Sequence, residues 1–196
     1  MALVPTASQT VGPFFKFGLE RKELRDLTRD GAQGTKIRIE GKVLDGDGQP
    51  VKEALLEIWQ ANAAGRYAHP EDTQDKPIDS RFLGFGRCCT EDDGSYYFVT
   101  IRPGQVPGRG NALQAPHIAL TVFARGMLKR EVTRIYFADE MKANEIDPLL
   151  SRIEDVRVRE TLLARPQSGP GKQGEMPVYR FDIRLQGEGE TAFFDI

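Results

Sequence analysis

The chain has 196 residues, 39% hydrophobic and 29% charged, which is enough apolar surface for a core without disulfides or structural metals. Its 27 lysines and arginines nearly cancel 29 aspartates and glutamates, and the net charge of −2 excludes a strongly basic nucleic-acid binder and an acidic tail. No apolar run reaches the roughly 18–20 residues of a membrane span, and residues 1–13 lack a basic and apolar leader, so the expectation is a cytoplasmic protein without membrane contact. Glycine (20) and proline (12) are both abundant, which favours a turn-rich β fold.

Residues 1–35 read as an arm. Thr10-Val11-Gly12-Pro13-Phe14-Phe15 is a turn signal followed by aromatics, and Glu20 to Leu27 has the composition of a short charged helix. Alternation then begins: Ile37, Ile39, Gly41 and Val43 share one face and Arg38, Glu40 and Lys42 the other, the pattern of a half-buried strand. Asp45-Gly46-Asp47-Gly48 is a hairpin-type turn before a strand over Leu55 to Gln60. Asn62 to Ser80 is a long polar loop, a kind that often carries function. Arg81 to Thr90 and Tyr96 to Ile101 read as strands around Glu91-Asp92-Asp93-Gly94. Pro103 to Pro116 is a second Gly/Pro-rich loop. His117 to Ala124 and Val132 to Phe137 are strands joined at Arg125-Gly126. Leu149, Leu150, Ile153, Val156 and Leu163 fit a helical stripe. After a turn region over Ser168 to Pro177, Tyr179, Phe181, Ile183 and Leu185 alternate with charged residues, and Thr191 to Asp195 reads as a last strand. Seven or eight short strands predict a mostly β protein, an antiparallel β-sandwich with an N-terminal arm and short helical insertions, in one domain over 1–196.

The cysteines, Cys88 and Cys89, are adjacent. Neighbours on a strand point to opposite faces, so they read as two reduced thiols, one packed inward. No phosphate loop, dinucleotide fingerprint, nucleophile elbow or zinc-type cluster is present. Two histidines, His69 and His117, exclude a three-His metal site. Tyr67, at the end of a strand-to-loop run, and His117, opening a strand, are candidate hard-metal ligands. The plainer reading is two satisfied loop-edge residues.

Three runs carry a resemblance: Glu57 through Tyr67, Thr90 through Phe98 leading to Ile101-Arg102-Pro103-Gly104, and Pro116-His117-Ile118. They resemble the intradiol ring-cleavage dioxygenases. Ser8 through Phe14, Phe123 through Gly126, Thr133 through Phe137 and Tyr179 through Thr191 resemble, more narrowly, the alpha-type chain of the two-chain enzymes in that family. The resemblance implies Fe(III) held by two Tyr and two His in the iron-bearing members. Tyr67 and His117 match one of each. Val106, in Pro103-Gly104-Gln105-Val106-Pro107, stands where the second Tyr would be, and Ala119 where the second His would be. Neither has a donor atom. The expectation is that this chain binds no iron and that a beta subunit of the same fold holds the Fe(III).

The implied reaction opens 3,4-dihydroxybenzoate with O2, between its hydroxyl-bearing carbons, to 3-carboxy-cis,cis-muconate on the partner's metal. In this chain no residue is assigned a catalytic role. Thr10, Gly12 and Pro13 match the part of the arm that lines the partner's substrate cleft. Arg134 is the candidate cation for the substrate carboxylate, with Arg66 and Arg102 as weaker options. Two other readings compete: an atypical iron site around Tyr67, His69 and His117, and a β-sandwich assembly module with no direct role in an active site.

Overall fold

A computed structural model describes residues 3–108, 110, 112–167 and 176–195. The arm carries helix α1 (Phe14–Leu19) and a 3-10 turn at Lys22–Arg25. The expected helix over Glu20 to Leu27 is thus reduced to that turn, and the regular helix lies one segment earlier. Arg25 fastens the arm to the body: its guanidinium donates to Glu91 (2.9 Å), Glu20 (3.0 Å) and the Cys89 carbonyl (3.1 Å).

Strands β1 (Lys36–Leu44), β2 (Leu55–Trp59), β3 (Phe85–Cys89) and β4 (Ser95–Ile101) form where strands are predicted, β1 with the predicted alternation and β3 shorter than the expected Arg81 to Thr90. A small hairpin, β5 (Val106–Pro107) with β6 (Leu113–Gln114), sits inside the second loop. Then come β7 (His117–Phe123), β8 (Glu131–Phe137), α2 (Met141–Ile146), α3 (Val156–Glu160), β9 (Leu163–Pro166), β10 (Val178–Arg180) and β11 (Ile183–Arg184). One sheet runs β11-β1-β10-β9-β8-β7-β2-β3, with β4 on β1. Its two limbs share a core: Ile37, Ile39 and Phe98 from one meet Leu56, Ile58, Ile118, Leu120 and Ile135 from the other.

The fold is mostly β, but the sheet is mixed rather than antiparallel. β1 pairs in parallel with β10 and β11, and β8 with β9. Alternation reports which face a residue takes, and says nothing of strand direction. The C-terminal alternation splits at Phe181, whose carbonyl turns over Gly41. A Cβ on Gly41 would lie 1.8 Å from that oxygen, and the buried Tyr96 hydroxyl donates to it at 2.6 Å. Thr191 to Asp195 forms no strand; Phe194 N–H donates singly to Val132 O. The helical stripe over 149–163 breaks into the 3-10 turn Leu150–Arg152 and α3, and Leu163 belongs to β9. The expected turn at Ser168 to Pro177 falls largely outside the described residues.

Both cysteines are free and buried, and Cys88 alone joins the main core, as expected of neighbours on opposite strand faces. Burial pushes both thiols up, Cys89 to about 11, so neither is a nucleophile near neutral pH. Among the described residues no helix is long and apolar enough to cross a membrane.

Candidate functional site

The long loop and the Pro103–Gln105 segment are locked backbone to backbone. Asn62 Oδ1 accepts from the N–H groups of Ala64 (2.9 Å) and Arg66 (3.0 Å), closing the turn that delivers Tyr67. Gly65 has φ +80°, and a Cβ there would lie 2.0 Å from the Gln105 carbonyl. Only glycine suits both demands. The Lys76 ammonium donates to Gly65 O (3.1 Å) and Gln105 O (2.8 Å), bridging the two segments. Sequence reasoning missed Lys76, since nothing in its spacing marks it.

Tyr67 then stacks on Trp59, centroids 5.9 Å apart and planes 12° apart. Together with Val106, Pro107 and His69 they line an open cleft of about 450 Å³. Burial is the main force on the Tyr67 phenol and raises it, against the charge of Arg134. The ring is therefore a neutral phenol at physiological pH.

Strand alternation sets the floor of this region. In β7, Ile118, Leu120 and Val122 enter the core, which leaves His117, Ala119, Thr121 and Phe123 on the outer face. Ala119 pairs with Trp59 on one side and with Arg134 on the other, and His117 pairs with Tyr136. His117 is buried and its ring lies 5.5 Å from that of Tyr136. Its Nδ1 is 2.8 Å from the Ala115 carbonyl, which can only accept, so Nδ1 carries the proton. Burial, then the charge of Arg134, lowers its pKa to about 4. Arg134 Nη1 donates to Gln114 Oε1 (2.6 Å) and Tyr136 Oη (3.2 Å). Asp147, fully buried, accepts from the N–H groups of Ala115, Leu149 and Leu150. It thereby ties the entry to β7 to the start of the turn at Leu150–Arg152. Gln114, Tyr136 and Asp147 were not legible as site residues, because each is recruited by tertiary contact alone.

The predicted positions Tyr67, Val106, His117, Ala119 and Arg134 thus converge on one face. They do not fit a ferric ion. Val106 and Ala119 offer no donor atom, which leaves one phenol and one imidazole, too few protein ligands for a ferric site. His69 does not complete the set: it is exposed, and its Nδ1 accepts from Glu71 N–H (3.2 Å) in its own turn. Among the described residues no three His, Cys, Asp or Glu side chains group as metal ligands. Arg66 and Arg102 are engaged inside the chain, Arg66 with the Lys76 carbonyl and Arg102 with Asp139 and Glu140.

The arm residues lie at the other end of the same face. Thr10 Oγ1 accepts from Gly126 N–H (2.7 Å), and Phe15 packs on Phe123, centroids 5.6 Å apart. Pro13 caps α1. No described atom lies within 4 Å of where a Cβ on Gly12 would be. Beside the arm, Val11, Phe123, Met127 and Phe193 help line a groove of about 740 Å³.

A protein family described as Dioxygenase matches residues 11–187. The chain is 41% identical over 204 residues to the protocatechuate 3,4-dioxygenase alpha chain of Pseudomonas putida, covering 98% of this chain and 97% of that one. It is 39% identical over 174 residues to the protocatechuate 3,4-dioxygenase beta chain of Burkholderia cepacia, covering 85% and 73%. Among solved structures it resembles the dioxygenase domain of a dioxygenase carbohydrate-binding protein fusion from Streptomyces sp. SirexAA-E. There the TM-score is 0.62 with 28% identity, over 96% of this chain and all of that one.

Proposed function

Because the chain belongs to the intradiol dioxygenase family, we propose that it is the iron-free, alpha-type subunit of an enzyme that cleaves 3,4-dihydroxybenzoate with O2 to 3-carboxy-cis,cis-muconate. The observation that carries the reading is the donor set. Two of the positions that match iron ligands, Val106 and Ala119, hold hydrocarbon, while the loops and strands that would present ligands are kept intact. A chain that preserves the scaffold of a site without its donors is understood if it completes a neighbour's site. The partner is then a beta-type chain of the same fold that holds the Fe(III). This agrees with the likeness of the chain to named alpha and beta chains alike.

In this reading the arm supplies shape and Arg134 supplies charge. Thr10 is pinned by Gly126, and Pro13 holds Gly12 extended. Gly12 leaves room for an approach that its own chain does not make. Arg134 provides a planar cation for the substrate carboxylate. The two limbs of the sheet are read as the faces of a sandwich, and the enzyme as cytoplasmic. The alternative is an assembly module whose arm touches no substrate.

The test is iron content and ring cleavage of 3,4-dihydroxybenzoate for the full chain alone and co-expressed with a beta-type chain. The expected result is a metal-poor, inactive lone chain and an iron-bearing, active pair. Near-stoichiometric iron in the active lone chain overturns the proposal. A pair whose KM and kcat survive Thr10→Ala and deletion of residues 1–13 selects the assembly module.

A further inference from the structure

A backbone donor seats the arm. Gly126, in the turn between β7 and β8, gives its N–H to Thr10 Oγ1 at 2.7 Å, two residues before Gly12. That turn is braced from the start of β2. Leu55 pairs with Phe123, so residues 53 and 125 face each other two positions beyond that pair. There Arg125 Nη2 lies 3.0 Å from Glu53 Oε2. Glu53 has φ +59°, the only positive value at a non-glycine among the described residues. The buried Thr90 holds it in place. Its carbonyl accepts from Glu53 N–H (3.3 Å), and its hydroxyl accepts from Ala54 N–H (2.9 Å) while donating to Val51 O (2.7 Å).

Stability does not account for this arrangement. A left-handed backbone is strained at a residue with a side chain, glycine takes it freely, and a partly exposed ion pair returns little. What the Glu53 carboxylate does is fix Arg125 at the end of β7, and the next residue is the donor to the arm. We propose that Glu53 and Arg125 are positioning residues: they hold the β7–β8 turn so that Gly126 seats Thr10, and thereby set the affinity of the two-chain enzyme for its substrate without touching it. The inference rests on the reading that the arm lines the partner's cleft.

The test is steady-state ring cleavage of 3,4-dihydroxybenzoate by the full chain co-expressed with a beta-type chain. Arg125→Gln and Glu53→Gly are each expected to raise KM about fivefold with kcat within about twofold, the signature of lost preorganisation rather than lost chemistry. Arg125→Lys keeps the charge and should stay within about twofold of the unmodified KM. A merely structural role would move stability instead, whereas the lone chain carrying Glu53→Gly should melt within about 2 °C of the unmodified chain, because the ion pair and the strain are lost together. The effect must also run through the arm. In a Thr10→Val background, which lacks the acceptor, Arg125→Gln should change KM by less than about twofold.

An unchanged KM in both single variants overturns the proposal. So does a KM rise that is equal with and without the Thr10 hydroxyl, which would make Arg125 a direct contact, and so does a rise in Glu53→Gly that tracks a fall in melting temperature. If deletion of residues 1–13 leaves KM unchanged, the reading of the arm fails instead, so the two failures are distinguishable. Should Glu53→Gly fail to assemble, charge reversal replaces it: E53R and R125E should each raise KM, and E53R/R125E should return it to within about twofold of the unmodified value. Absence of that rescue overturns the proposal.

Discussion

The two faces of β7 obey different rules. Ile118, Leu120 and Val122 point inward and are fully buried, and each does one thing, filling the common core. His117, Ala119, Thr121 and Phe123 point outward, and their neighbours differ: a carbonyl for His117, paired strand residues for Ala119 and Thr121, an aromatic from the arm for Phe123. The inner face is specified by hydrophobicity and period. The outer face is specified by which tertiary partner arrives. Function sits on the second face, where side chains are free to change without dismantling the first.

The largest expected effect separates the faces within one strand. Leu120→Ala should lower unfolding free energy by about 4 kcal/mol, the cost of a large-to-small change at a closed core position. Thr121→Ala, one residue on, should shift it by only about 0.5 kcal/mol. Urea midpoints of the two variants measure the contrast, and comparable losses would mean that the outer face is itself packed as core.

The next effect tests whether the outer face also bears stability. His117 has a folded pKa lowered to about 4 from an ordinary 6.5. The unfolded chain therefore takes up this proton first as pH falls. The stability it withholds is fully present above pH 6.5 and is lost progressively between 6.5 and 4. The loss should approach about 3 kcal/mol, at roughly 1.4 kcal/mol per pH unit. The check is the difference in urea stability between the unmodified chain and His117→Gln at each pH, which removes the other titrating groups. A flat difference would show that His117 is not held neutral by burial.

How much of this was legible follows the same division. The inner face of β1 was read correctly as Ile37, Ile39, Gly41 and Val43, because alternation is a property of the strand itself. The same logic placed Tyr179, Phe181 and Ile183 inward. It failed to see that they lie parallel to β1, since alternation carries no direction, or that the run breaks at Phe181, whose carbonyl takes the space left by a missing side chain at Gly41, far away in sequence. Helix α1 was hidden because Phe14 and Phe15 read only as aromatics following a turn, and of the two only Phe15 packs on the body. The stripe over 149–163 looked helical because its spacing is right, yet only the turns Leu150–Arg152 and Val156–Glu160 are helical, and Leu163 goes to a strand. Tyr67 and His117 were visible as candidates. The partners of Arg134, Gln114 and Tyr136, were not, because outward residues carry no record of what they will meet.

A smaller effect sharpens the point about Gly41. The Tyr96 hydroxyl is buried and donates to the Phe181 carbonyl at 2.6 Å. Tyr96→Phe leaves that oxygen short of a donor and should cost about 1–2 kcal/mol. Thermal unfolding of the variant measures it. No loss would mean that the C-terminal strands are held by their ladder bonds alone.

The smallest effect on the fold is expected at the end of the outer face that carries the arm. Phe14 and Phe17 are 81% and 75% exposed, and α1 contains no buried residue. Their rings touch each other, 6.4 Å between centroids, and the arm is held instead by Phe15, Thr10 and Arg25. Phe14→Ala and Phe17→Ala should each change the stability of the lone chain by about 0.5 kcal/mol or less. In the proposed two-chain enzyme the same rings are large apolar surfaces at an arm that reaches the partner, where aromatic side chains commonly dominate binding. The double variant should therefore weaken association with a beta-type chain by about tenfold or more, measured by sedimentation of the pair over a dilution series. A stable lone chain with weakened association would show that the outer face is shaped for a neighbour as the inner face is shaped for the core. Unchanged association would place the contact elsewhere and leave these rings as ordinary exposed residues.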